Sequence, residues 1–212
     1  MKKVYCDISA TTPIDHEVLE FMANIDKKYF GNPSSIHKYG QESHAVIEKS
    51  RIQVAEALSC QAEEIIFTGS GTEANNIAIQ GLIHAGDHII SSSYEHPSVL
   101  KVLQELEKDN VTVTYIKPIQ DGTIDPNEIE NNITDKTKLI SIMYANNELG
   151  SINPIPLIGE IAKKNNVIFH VDAVQCIGKI PVALKKLSVD LMSLSAHKFY
   201  GPKGVGALYI KK

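Results

Sequence analysis

The sequence predicts an α/β protein: a seven-stranded, mainly parallel sheet with helices on both faces and an antiparallel last strand. Three observations predict it. Short, nearly continuous apolar runs recur along the chain, as expected of strands whose two faces are both covered. Helical patterns lie between most of these runs, which implies right-handed crossovers and parallel pairing. The final two runs are joined only by HKFYGPKGVGA, too short for a helical crossover, so the last strand returns as in a hairpin.

The elements follow in order. An extended segment, VYCDISATTP, leads through Pro13 to a helix from about Asp15 to Lys28. The turn-rich GNPSSIH (Gly31 to His37) precedes a longer amphipathic helix from about Gln41 to Leu58, where Val46, Ile47, Val54, Ala55 and Leu58 keep the 3.6-residue period. The strands are Ile65–Thr68, His88–Ser91, Val111–Ile116, Leu139–Tyr144, Val167–Val171, Leu191–Leu194 and Gly206–Ile210. The intervening helices are Thr72–His84, Pro97–Lys108, Asn127–Asn131 and Pro156–Asn165. There is no internal repeat, low-complexity tract or linker, so residues 1–212 read as a single domain with an N-terminal arm of about residues 1–14.

Composition narrows the function classes. With 212 residues, 43% of them apolar, the chain can bury a core without disulfide or metal staples. A formal charge of −4 with no block of like charge argues against nucleic acid or an anionic membrane surface as partner. No apolar stretch approaches the length of a membrane span, and the polar start MKKVYCDISA does not read as a secretory leader. Cys6, Cys60 and Cys176 are odd in number and far apart, which suits reduced thiols in a cytoplasmic protein. His84 and His88 stand four apart, but Gly86 lies between them and His88 opens a strand, so no zinc site is expected.

In open parallel sheets ligands bind beyond the carboxyl ends of the strands. Four such ends carry chemistry here. In IIFTGSGTEANN a strand ends at Thr68, Gly69, Ser70 and Gly71 make the turn, and a helix starts near Thr72; its free amides and dipole suit a phosphate. An ordinary tight turn with Thr72 as helix cap explains the same letters. In VIFHVDAVQCIGK, Asp172 lies at a strand mouth, where a carboxylate calls for a cationic partner unless it is merely a cap or a structural ion pair. In DLMSLSAHKFYGPKG, Lys198 is either paired or depressed in pKa, and an amine of low pKa is the nucleophile that forms a Schiff base with an aldehyde; the plain alternative is a solvated loop lysine. In SIMYANNELG, Asn146, Asn147 and Glu148 end another apolar run, where amides either hydrogen-bond a polar ligand or form a turn. A phosphate cradle, a carboxylate and a Schiff-base lysine at the ends of one sheet are what pyridoxal 5′-phosphate requires.

The segments VYCDISATTP, GNPSSIH, TGSGTEANN, EHPSVL, MYANNELG, HVDAVQCIGK and SLSAHKFYGPKGVGALY together resemble the NifS/IscS-like cysteine desulfurases of the class V aminotransferase group, along the whole chain. The resemblance implies the large domain of a type I pyridoxal phosphate-dependent transferase and conversion of L-cysteine to L-alanine, the sulfur passing on as a persulfide for iron–sulfur cluster or other sulfur-compound biosynthesis. It implies Lys198 as the Schiff-base lysine and Asp172 as partner of the pyridinium nitrogen. His96 would stack on the cofactor ring and take part in proton transfer, although before Pro97 it also reads as an ordinary helix-start residue. Gln175 would bond the phenolic oxygen. Gly71, Thr72, Ser195 and His197 would hold the phosphate, and Asn147 would lie beside cofactor and substrate. A homodimer in the full-length form and a sulfur-acceptor or scaffold protein are the implied partners.

Family chains are considerably longer, and their C-terminal half carries the sulfur-attacking cysteine, an arginine that grips the substrate carboxylate and a threonine that reaches the partner subunit's phosphate. The sequence contains none of them, so a truncated form lacking the C-terminal small domain, inactive in full turnover by itself, is expected. Cys176 neighbours Gln175 yet reads first as a small buried hydrophobe. Two alternatives stay open: another class V enzyme such as an aminotransferase, selenocysteine lyase or kynureninase, against which NNELG and HKFYGPKG weigh, and a non-catalytic scaffold that has kept the fold.

Overall fold

The computed structural model describes residues 3–212. Helices α1 (His16–Lys28) and α2 (Lys38–Leu58) lead into the sheet strand β1 (Ile65–Thr68). There follow α3 (Gly71–Gln80), β2 (His88–Ser92), α4 (Pro97–Lys108), β3 (Thr112–Ile116), α5 (Pro126–Asn131), β4 (Thr137–Met143), α6 (Ile155–Lys164), β5 (Ile168–Asp172), β6 (Leu191–Ser195) and β7 (Gly206–Ile210). The strands form one seven-stranded sheet in the order β1-β7-β6-β5-β4-β2-β3. Pairings among β2 to β6 are parallel, and β7 runs antiparallel to both β6 and β1. Among the described residues no helix is long and apolar enough to cross a membrane.

The period of two along each strand sorts side chains between two cores. Ile140 and Ile142 on β4, Phe169 and Val171 on β5, and Met192 and Leu194 on β6 pack with α2, α5 and α6 on one face. On the other face α3 and α4 cover Ile89, Leu139, Leu191 and Leu208. The same alternation leaves Met143, Asp172 and Ser195, the last residues of β4, β5 and β6, on the α3 face at the carboxyl edge. His170, two residues before Asp172, joins them there. It is fully buried, bonds Ser141 Oγ at 2.9 Å and Ser193 Oγ at 3.0 Å, and is held neutral by burial, its pKa pushed down to about 3.

Most element boundaries shift by one to four residues from the sequence reading, and three of the shifts have clear local causes. Helix α2 begins at Lys38 because His37 caps it, its Nδ1 accepting from the Gly40 amide at 3.3 Å; Gly40 lies inside the first turn because any Cβ there would run into the Ser35 carbonyl. Helix α3 starts at Gly71, not Thr72, and its cap is Ser70, whose hydroxyl accepts from Glu73 N at 3.1 Å. It stops at Gln80 instead of His84, where the ladder tightens as Gly81 N and Leu82 N bond to carbonyls of the last turn.

Candidate active site

A cavity of about 280 Å³ opens at the carboxyl ends of β4, β5 and β6 and the start of α3, where β2 and β4, running on to opposite sides of the sheet, mark the switch in strand order. It is lined by all nine residues expected from the sequence: Gly71, Thr72, His96, Asn147, Asp172, Gln175, Ser195, His197 and Lys198. The sequence separates the first from the last of these by more than half the chain; the sheet brings them together.

The α3 start forms one wall. Ser70 uses its hydroxyl to cap Glu73, and Ala74 N bonds Ser70 O, which leaves the amides of Gly71 and Thr72 without an acceptor among the described residues. A Cβ at Gly71 would come within 2.8 Å of Val174 Cγ2 and 3.1 Å of Ser195 Cβ, so glycine is what lets the helix start press against the ends of β5 and β6. The result is a helix start with two free backbone amides, a geometry suited to an anion, with the Ser195 and His197 side chains alongside.

Asp172 forms the second wall. Its Oδ1 accepts from Val174 N at 3.0 Å and its Oδ2 from Asn75 Nδ2 at 2.8 Å. The sequence called for a cationic partner, but both bonded groups are neutral donors. Burial therefore pushes its carboxyl pKa up, opposed by these hydrogen bonds and by the neighbouring His96 and Lys198. Asn75, fully buried on α3, also donates to Ser98 Oγ at 2.9 Å, and Ser98 Oγ lies 2.8 Å from His96 Nδ1. The Oδ1 of Asn75 has no partner among the described residues.

Lys198 sits in a single 3-10 turn, Ala196–Lys198, after β6. Its Nζ donates to the carbonyls of Ser9 and Ala10, at 2.8 Å each, and desolvation followed by the nearby Lys179 lowers its pKa. Gln175 Nε2 donates to the same Ser9 carbonyl at 2.9 Å, and its Oε1 accepts from Lys179. The arm holds His197 too: its Nδ1 lies 3.0 Å from Thr11 Oγ1, and its carbonyl accepts from Thr12 N at 2.9 Å. The two asparagines divide the roles foreseen for them. Asn146 makes the turn, its Oδ1 accepting from Glu148 N and Leu149 N, whereas Asn147 faces the cavity.

Several contributors escaped the sequence reading: Asn75, Ser98, Glu95 and the arm residues Ser9 and Ala10. Asn75 stands one turn beyond Gly71, a spacing that places it on the same helix face, and this was the available signal. Glu95 is completely buried beside His96. Its Oε1 accepts from Ser92 Oγ and, at 2.9 Å, from Met143 N, its Oε2 has no partner among the described residues, and burial pushes its pKa up to about 8. Cys176 proves a core residue, 1% exposed, its thiol pushed up to about 12 by burial; that of the half-buried Cys60 rises to about 11.

The family described as Aminotransferase class-V matches residues 4–212. The chain belongs to that family. Two curated relatives, each named cysteine desulfurase IscS, come from Dictyoglomus turgidum (50% identical) and Methanosarcina thermophila (51% identical); each match covers the whole chain but only 55% and 53% of the relative. The chain thus spans about half the length of the curated relatives it matches. Among solved structures, a NifS-like protein superposes with a TM-score of 0.96 at 41% identity, covering 100% of the chain and 60% of that protein. A structure described as SspA in complex with cysteine gives 0.94 at 38% identity, covering 98% and 61%.

Class V members depend on pyridoxal 5′-phosphate, and the residues present fit that group. The acceptor-free amides of Gly71 and Thr72 suit its phosphate, the buried Asp172 carboxylate with only neutral donors suits a protonated ring nitrogen, and the depressed amine of Lys198 suits its aldehyde.

Proposed function

We propose that residues 1–212 form the cofactor-binding large domain, arm included, of a pyridoxal phosphate-dependent cysteine desulfurase acting on L-cysteine. The observation that carries this reading is the shared cavity, in which a low-pKa amine and a buried carboxylate meet a helix start with free amides.

In this reading Lys198 holds the cofactor covalently through Nζ, releasing the Ser9 and Ala10 carbonyls as it does so. Asp172 keeps the ring nitrogen charged, His96 lies against the ring, and Gln175 bonds the phenolic oxygen. Gly71, Thr72, Ser195 and His197 hold the phosphate, and Asn147 flanks cofactor and substrate. The bound cofactor supplies an electron sink for negative charge at the substrate α-carbon. The sulfur then passes to a protein thiol as a persulfide and L-alanine is left. That thiol must ionise readily. The buried Cys176 and the half-buried Cys60, with thiols near 12 and 11, are unsuited to it, and the exposed Cys6 is not among the residues lining the cavity, so the accepting cysteine is proposed to lie in sequence equivalent to the relatives' additional length, with the small C-terminal domain.

Delivery of the sulfur to an acceptor or scaffold protein, for iron–sulfur cluster assembly, in a homodimer within the cytoplasm, completes the reading. Three unpaired cysteines suit a reducing compartment. Exposed Phe21 on α1 and Phe30 beyond it, 63% and 74% exposed, give an apolar surface for association.

Adding pyridoxal phosphate to the chain should produce a visible absorbance band that Lys198→Ala abolishes; no Lys198-dependent band would overturn the cofactor assignment. The full-length gene product should release alanine and sulfide from L-cysteine. Amino-group transfer without sulfide would move the assignment to another class V activity.

A further inference from the structure

The hydrogen bonds around His96 settle which of its nitrogens carries the proton. The Ser98 backbone N–H lies 3.1 Å from His96 Nδ1, and an amide N–H can only donate. Nδ1 is therefore an acceptor, and the neutral ring carries its proton on Nε2. The Ser98 hydroxyl, 2.8 Å from the same Nδ1, reinforces this only if its own proton points there.

Asn75 decides that orientation. One proton of its Nδ2 goes to Asp172 Oδ2 at 2.8 Å and the other to Ser98 Oγ at 2.9 Å. With Ser98 Oγ already accepting, its hydroxyl proton is free for His96. The chain is directional from end to end. A carboxylate accepts only, so Asp172 turns the Asn75 amide, the amide turns the Ser98 hydroxyl, and the hydroxyl meets Nδ1. Asn75 and Asp172 are 0% and 6% exposed and Ser98 is 9% exposed, so water has little access to reverse any link. Nε2 has no hydrogen-bond partner among the described residues, and His96 lines the cavity.

We infer that Asn75 and Ser98 are positioning residues that lock neutral His96 as its Nε2–H tautomer, so that it presents a proton donor to the cavity. Taken with the proposed function, neutral His96 hands a hydrogen bond or a proton to substrate from Nε2 and does not take one there. The tautomer itself rests only on the chain's own bonds.

The test is nitrogen NMR of histidine-labelled, cofactor-free chain at a pH where His96 is neutral. Wild type should show His96 as Nε2–H with the Nδ1–H form below detection. Ser98→Ala leaves the residue-98 backbone amide as the sole donor to Nδ1, enough to bias the tautomer but not to lock it, and Asn75→Asp supplies an acceptor that turns the hydroxyl away from His96; each should raise the Nδ1–H form at least threefold above the detection limit. Ser98→Thr, which keeps the hydroxyl, should restore the wild-type pattern. An Nδ1–H ring in wild type, or an unchanged ring in a folded Ser98→Ala, overturns the inference. In the full-length holoprotein Ser98→Ala should lower kcat for L-cysteine more than it changes KM. A wild-type Nε2–H ring in a protein that releases no sulfide would sink the desulfurase reading and leave the tautomer standing.

Discussion

Thr12 bridges the turn that carries Lys198: its hydroxyl donates to the His197 carbonyl at 3.0 Å and accepts from the Tyr200 amide at 2.7 Å. Residues 197 and 200 are thus stapled together around the lysine by one buried side chain of the arm. Tyr200 adopts a left-handed backbone, φ 66°, which a bulky residue holds only when its surroundings impose it; the Thr12 bond and that from Asp15 N to Tyr200 O do so.

Thr12→Val keeps the shape and removes both side-chain bonds, leaving the Tyr200 amide without its acceptor. It should destabilise the chain by about 1–3 kcal/mol, read as a lower midpoint in urea unfolding, and should speed hydrogen exchange at the Tyr200 amide. Thr12→Ser should stay close to wild type. A valine variant with unchanged midpoint and exchange would show that the staple contributes nothing.

Lys198 should react with amine reagents at a lower pH than an ordinary lysine. Desolvation and Lys179 lower its pKa from 10.5, so the neutral, nucleophilic form is populated earlier as pH rises. The linkage has a definite sign. Between its folded pKa and 10.5 the unfolded chain binds more protons, so this group's contribution to stability improves with rising pH across that window. Peptide mapping after pulse labelling across pH should place the Lys198 midpoint below those of surface lysines; a midpoint at or above theirs would contradict the environment described.

The strands and the cavity wall they build were legible because a buried parallel strand leaves an almost uninterrupted apolar run, and a polar residue closing such a run stands out. Asp172 and Ser195 are of this kind. Asn75 was barely legible: its spacing from Gly71 marks the helix face, but inside a helix an asparagine reads as a surface residue, and the packing of α3 against β5 is what shows it buried on Asp172. Glu95 was hidden for the related reason that a glutamate before a helix start looks solvated. The α3 cap was misjudged because GSGT holds two hydroxyls, and side-chain geometry alone tells Ser70 from Thr72. The arm's grip on Lys198 uses the carbonyls of Ser9 and Ala10, which no side-chain pattern records.

Gly71→Ala should weaken cofactor binding without dismantling the sheet. The added methyl, 2.8 Å from Val174 Cγ2 and 3.1 Å from Ser195 Cβ, must push the α3 start away from the strand ends. Overpacking of this sort costs about 1–3 kcal/mol. The Kd for pyridoxal 5′-phosphate should rise on the order of tenfold or more as the Gly71 and Thr72 amides move. An unchanged Kd would remove those amides from the phosphate cradle.

Glu95 should make the fold sensitive to pH near neutrality. Its carboxyl is buried beside Asp172 and pushed up to about 8 from an ordinary 4.5, so the folded chain holds a proton that the unfolded chain has released between those values. Its contribution is full below 4.5 and is lost as pH rises through about 8, which makes stability fall with pH in that window. At 1.36 kcal/mol per unit the fall amounts to on the order of a few kcal/mol. Glu95→Gln keeps an acceptor for Ser92 and Met143 and has no proton to lose, so this fall should be missing from it and wild type should lose stability relative to the variant as pH rises over the same range. Urea unfolding of both proteins at several pH values within it decides the matter: parallel curves would mean that Glu95 is ionised in the folded chain, with Ser92 Oγ and Met143 N stabilising its charge enough to offset burial.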